Sequence, residues 1–235
     1  MNLIELIKTG SREANALVTL AISALLLKIL LLNRYPPLFR GAYELGVIVE
    51  SVLASVIASY VFYLIVVHVK EYSDREALRP YVEKHAKALV RICTTQISDV
   101  AKASSMTLDF CTLTEADVLA AFSKIDPYSD APLIISVQTL QRANWFQYFN
   151  NHKARSNESA RKLFVQLPFL EAKIVSDITA IDDCAHFSTV ELLSSITTGN
   201  KDLSAFSSSF FEYCQFCKKL YLSLAQFGFS IKESK

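Results

Sequence analysis

The chain has 235 residues, 51% of them apolar, a mean hydropathy of +0.28 and a formal charge of +1. From residue 69 onward 19 Lys and Arg balance 19 Asp and Glu, so the charge excess that nucleic-acid binding draws on is missing. Five glycines exclude the phosphate-cradling loops G-x-x-x-x-G-K-[ST] and G-x-G-x-x-G, and the nucleophile elbow G-x-S-x-G is absent too.

The apolar residues are unevenly spread. Residues 14–33 and 43–67 form two nearly continuous apolar runs. Each matches the roughly 20 residues that a helix needs to cross about 30 Å of hydrocarbon. The first is too long for the core of a cleaved signal peptide and lacks a small-residue cleavage pattern. Between the runs, Tyr35, Pro36 and Pro37 break the helix, because proline has no amide donor and clashes with the preceding turn. The predicted domains are therefore a short N-terminal segment, 1–13, a transmembrane helical hairpin, 14–68, and a helical domain, 69–235. Lys70, Arg75, Arg79, Lys84, Lys87 and Arg91 follow the second run and outweigh Arg34 and Arg40 in the connection. By the positive-inside rule both termini face the cytoplasm.

Three features stand out in the hairpin. Lys28 and Glu50 sit about 7 to 10 Å inside the outer boundary on neighbouring antiparallel helices, at matching depth. A charge in hydrocarbon is costly, so pairing the two offsets part of the cost; the alternative is a lysine that snorkels to the surface. Asn15, Thr19 and Ser23 in the first run, and Ser51, Ser55 and Ser59 in the second, recur every four residues. That spacing predicts helix-packing seams, within one chain or between chains, unless the hydroxyls merely bond their own backbone.

Scarce glycine and proline after the hairpin predict an all-α bundle. Ser73 or Asp74 opens a helix past Val82, Leu89, Ile92, Cys93, Ile97 and Val100, with Pro80 near its start. A short extended piece follows at 106–110. Thr112 and Glu115 read as a capping box for a helix through Phe122. After a turn at 126–132, helices are predicted over 133–151, over about 156–183 with a bend at Pro168, from Ser188 or Thr189 to Gly199, and over about 202–227.

Candidate chemistry is sparse. The cysteines are Cys93, Cys111, Cys184, Cys214 and Cys217, an odd number in helix-like stretches, which predicts reduced thiols. Cys184, His186, Cys214 and Cys217 can be drawn as a zinc set, but small buried thiols on an apolar helix account for them more simply. Cys184 and His186 lie two apart and so do not share a helix face, which removes a nucleophile pair. In "NWFQYFNNHKAR" at 144–155, Trp145 and Tyr148 are the candidates for an exposed partner surface. No cofactor, metal or catalytic residue is predicted.

In layout, the span pair with polar residues inside it and an enzyme-free cytosolic domain resembles the small two-transmembrane effectors of bacterial anti-phage systems, some of them retron-linked. No motif is shared, so no residue role carries over. The resemblance implies an inner-membrane effector that a cytosolic protein or ribonucleoprotein partner silences, and that self-associates to breach the bilayer. The alternative is a membrane-tethered adaptor or regulator without intrinsic activity.

Overall fold

The computed structural model describes residues 11–31, 41–136, 138–193 and 198–229. The predicted Pro36–Pro37 turn lies outside them. The chain divides into two compact units, Met1–Ala77 and Leu78–Lys235.

The first unit holds α1 (Arg12–Leu30), α2 (Ala42–Phe62) and a π-helical stretch (Tyr63–His68). Ser11 caps α1 by accepting from Ala14 N at 3.1 Å. Gly41, at φ 94°, starts α2 in a conformation that costs glycine little. The helices run antiparallel: Lys28, near the end of α1, meets Glu50 early in α2, and Asn15, near the start of α1, meets Tyr60 late in α2.

The second unit is helical apart from one ribbon. Helix α3 (Val69–Ser104), whose residues up to Ala77 fall in the first unit, has no start at Ser73 or Asp74; those residues lie within a continuous helix that also takes up Pro80. It ends in a Schellman turn, with Met106 N bonded to Ala101 O, Ser105 N to Lys102 O, and Ser105 at φ 53°. The chain leaves that turn without forming a strand, so the extended piece expected at 106–110 is an irregular loop. Helix α4 (Glu115–Phe122) is capped by Thr114 and Asp117 rather than Thr112 and Glu115. Each bonds the other's backbone N–H, because Thr114 directly precedes the first helical residue.

The largest correction follows. Residues 133–136 and 141–144, predicted as part of a helix, instead belong to an antiparallel ribbon of β1 (Asp130–Ser136) and β2 (Gln141–Asn144). Pro132 cannot serve a helix interior, and Ile134 and Ile135 are β-branched. Helix α5 (Trp145–Phe164) begins only where Asn144 and Gln147 form a second capping box. It passes straight through Ser156 and Asn157, where a new helix was expected. Pro168 breaks the chain rather than bending it: a 3-10 turn (Leu167–Phe169) separates α5 from α6 (Ala172–Asp182). Helices α7 (Ala185–Leu193) and α8 (Ser207–Gln226) complete the unit, α8 after a 3-10 turn (Ser204–Phe206).

The core centres on Phe149. Its ring packs against Phe122 of α4, Trp145 and Tyr148 of α5, His186 of α7 and Phe210 of α8, at centroid distances of 5.4 to 6.1 Å. Such tilted and edge-on pairs add to the stabilisation from buried area.

Candidate functional site

The polar centre of the first unit is built on two facing stripes. Ala14, Asn15, Val18, Ala21, Ala24, Leu25 and Lys28 are the less exposed positions of α1; Gly46, Glu50, Leu53, Val56, Ile57 and Tyr60 are those of α2, continued by Tyr63 and Leu64 of the π-helical stretch. Both follow the three- and four-residue spacing that keeps side chains on one helical face. Lys28 Nζ donates to Glu50 Oε2 at 2.5 Å and to the Gly46 carbonyl at 2.5 Å. Its side chain is 14% exposed, against 43% for Glu50. Gly46 makes this possible, since a Cβ there would stand 3.3 Å from Lys28 Cε. The lysine thus lies flat over a bare backbone and takes a carbonyl that also serves the helix. At the other end of the pair, Tyr60 donates its hydroxyl to Asn15 Oδ1.

The predicted seam residues are placed differently. Asn15 joins the contact between α1 and α2. Thr19, Ser23, Ser51, Ser55 and Ser59 are exposed, and Ser55 and Ser59 border a groove that Ala14 and Leu17 of α1 also line. Thr19 and Ser51 donate to their own backbones, at Asn15 O (2.7 Å) and Val47 O (2.9 Å). Gly46 and Tyr60 were missed from sequence. The available signal was Gly46 four residues before Glu50, on the same face.

In the second unit Trp145 and Tyr148 are each 1% exposed, so they are core residues and not a partner surface. Tyr148 donates to Asp99 Oδ2 at 2.7 Å, and burial with that carboxylate holds its hydroxyl well above the usual range. Exposed apolar residues on the neighbouring ribbon are Ile134, Ile135 and Leu140, the last at φ 51°.

Cys93, Cys184, Cys214 and Cys217 are buried free thiols. Burial pushes Cys184 up to about 12 and Cys93 and Cys217 well above the usual range. A protonated, enclosed thiol is neither nucleophile nor ready ligand. Among the described residues no three His, Cys, Asp or Glu are placed to hold a metal ion. Cys111 is exposed. A maleimide is therefore expected to modify Cys111 alone in the native protein and all five thiols in denaturant, as intact mass will read out. Native labelling at Cys214 or Cys217 would contradict the packed core.

His186 sits among Phe149, Phe187, Phe210 and Tyr213, with neither ring nitrogen hydrogen-bonded. Burial pushes it down to about 3. His152, stacked 4.4 Å from Tyr148 with Nδ1 unbonded, is pushed down to about 4 by burial and then by Arg155.

Comparison of the chain with protein-family models, curated proteins and solved structures gives no match. Both α1 and the helix that begins at Tyr43 are long and apolar enough to cross a membrane. The Lys28–Gly46–Glu50 centre between them is the best-defined polar site in the first unit.

Proposed function

We propose that the chain is a membrane-embedded effector of a defence or toxin-like system, silenced by a partner and acting by self-association and disruption of the inner membrane. The observation that carries this reading is the Lys28–Glu50 pair, set between helices whose outward faces are apolar. Only 11% and 6% of the two span-length stretches are buried, and Leu20, Phe62 and Ile65 lie open. A soluble core helix would bury such residues, whereas hydrocarbon accepts them. An ionisable pair in that setting is expensive and marks function more often than scaffold. The exposed hydroxyls of Ser23, Ser55 and Ser59 make no hydrogen bond among the described residues, and in hydrocarbon they gain one by meeting a neighbouring helix. Assembly of several hairpins would then bring the Lys28–Glu50 centres together as a polar seam. Both termini and the helical unit lie on the cytoplasmic side, where a protein or ribonucleoprotein partner holds the assembly off, and the effector works without cofactor or catalysis.

A second reading, a membrane-tethered adaptor without activity of its own, is favoured by the β1–β2 ribbon, which offers Ile134, Ile135 and Leu140 to a protein ligand. Exchanging residues 12–67 for an unrelated two-span hairpin separates the two. Induced expression of the native chain without its partner is expected to depolarise cells, as a potential-sensitive dye reports, and the exchanged chain is expected not to. Retained biological function after the exchange would establish the adaptor.

A further inference from the structure

Helix α2 has a face that α1 leaves open. Val47, Ser51, Ala54, Ala58 and Val61 succeed one another in steps of four and three residues in turn, and all are exposed. Those steps align side chains along one side of a helix, as in the seam of a parallel coiled coil. Ser51, Ala54 and Ala58 are small, so a second helix backbone can come close. Glu50 stands on the border of this face: Gly46 and Leu53 flank it on the side that α1 covers, Val47 and Ala54 on the open side. Its two carboxylate oxygens are used unequally. Oε2 takes the Lys28 ammonium at 2.5 Å. Oε1 accepts no hydrogen bond among the described residues, in a side chain 43% exposed. Lys28 turns instead to the Gly46 carbonyl.

We infer that this face joins two copies of the chain, α2 against α2, and that the Ser55 hydroxyl of each copy donates to Glu50 Oε1 of the other. The inference rests on the membrane-effector reading and deepens it by naming the surface of self-association. Self-complementarity selects a second copy as the occupant. Copies inserted in one direction lie parallel, and a two-fold axis along the bilayer normal sets the Val47–Val61 seam against itself. In a parallel seam the residue just before a seam position faces, across the axis, the other helix's residue five places further on. Glu50 directly precedes Ser51, so the residue it faces is Ser55. Ser55 is exposed, and its hydroxyl makes no hydrogen bond among the described residues. An unmatched acceptor and an unmatched donor thus meet, twice per pair by symmetry. Lipid tails offer no such donor. The Lys28–Glu50 pair stays intact, so the association strands no charge.

The test uses the full chain reconstituted into phosphatidylcholine vesicles containing phosphatidylglycerol, in a Cys111→Ser background that removes the exposed thiol. One cysteine is added, at Ala54→Cys in the seam or, as control, at Val52→Cys. Val52 is also exposed and lies at nearly the same depth, but two residues away it points to the opposite side of α2. Oxidation with copper phenanthroline is expected to cross-link Ala54→Cys into dimers several-fold more than Val52→Cys. In the Ala54→Cys chain, Ser55→Ala is expected to weaken pairing about tenfold on dilution with lipid, through the loss of two hydrogen bonds. Ser59→Ala, outside the seam, is expected to leave pairing unchanged. Equal cross-linking at the two positions, or pairing that Ser55→Ala does not weaken, overturns this interface; if the native chain still depolarises cells, the effector reading stands without it. Release of the chain by alkaline carbonate overturns both.

Discussion

Glu50→Leu is expected to cost the hairpin up to about 2.5 kcal/mol, since an uncompensated charge at the centre of a membrane helix costs about 2.5 to 3.5 kcal/mol and the cost falls toward the boundary. The loss does not come from the missing carboxylate as such. It comes from Lys28, which stays 14% exposed over Gly46 with one carbonyl left to satisfy it. The sign of a double variant distinguishes this cause from simple loss of an attraction. Replacing both partners, Lys28→Leu with Glu50→Leu, removes the stranded charge and is expected to restore most of the stability, as when a buried ion pair is exchanged for apolar residues. Gly46→Ala should fall between, because its Cβ must displace the lysine stem by a few tenths of an ångström. Far-UV circular dichroism of micelle-bound full chain, titrated with a denaturing detergent, reports all three. A double variant as weak as Glu50→Leu would show that the pair stabilises through its own attraction. In cells, Glu50→Leu is also expected to relieve the depolarisation that the native chain causes.

The second large effect is acid lability of the helical unit. His152 and His186 titrate at about 4 and about 3 in the folded protein, against 6.5 for the ordinary group. Between those limits the unfolded chain binds more protons than the folded one, so stability falls as the pH falls. It is complete above about pH 6.5 and, by about pH 5, each histidine has removed about 2 kcal/mol. The carboxylates held low by local hydrogen bonds, Asp117, Glu158, Glu191 and Asp202, ordinarily titrate at 4.5 or below and add their losses only there. His186→Leu is expected to remove roughly half of the slope between about pH 6.5 and pH 5. At neutral pH the variant should unfold at the same or higher urea concentration, since it also removes two buried nitrogens without partners. An unchanged slope would mean that His186 is hydrated in solution.

How much of this was legible in the sequence differs from element to element. The two apolar runs announced α1 and α2 through length and composition alone. The Lys28–Glu50 pairing could be anticipated from matching depth, since an antiparallel connection fixes which residues come level. The face on which the helices meet could not. Hydroxyl periodicity drew attention to Thr19, Ser23 and Ser51, whereas the contact uses Ala21, Val18 and Gly46, which a count of polar residues passes over. In the second unit the ribbon was lost because Leu133 to Leu140 reads as apolar at either period. The deciding signal was the Asn144–Gln147 box, which starts a helix at Trp145 and leaves the residues before it to find another conformation. The same oversight displaced the cap at Thr114 by two positions. Trp145 and Tyr148 misled for a different reason: aromatic residues beside polar ones suggest a surface, but α5 turns Asn150 and Asn151 away and both rings inward.

Trp145 is the chain's one tryptophan, and it lies in a sealed aromatic nest, 5.2 Å from the Tyr148 ring and 5.8 Å from that of Phe149. Intrinsic emission is therefore a private signal of the second unit. It starts blue-shifted, reddens when that nest opens, and stays dark to anything that happens between α1 and α2.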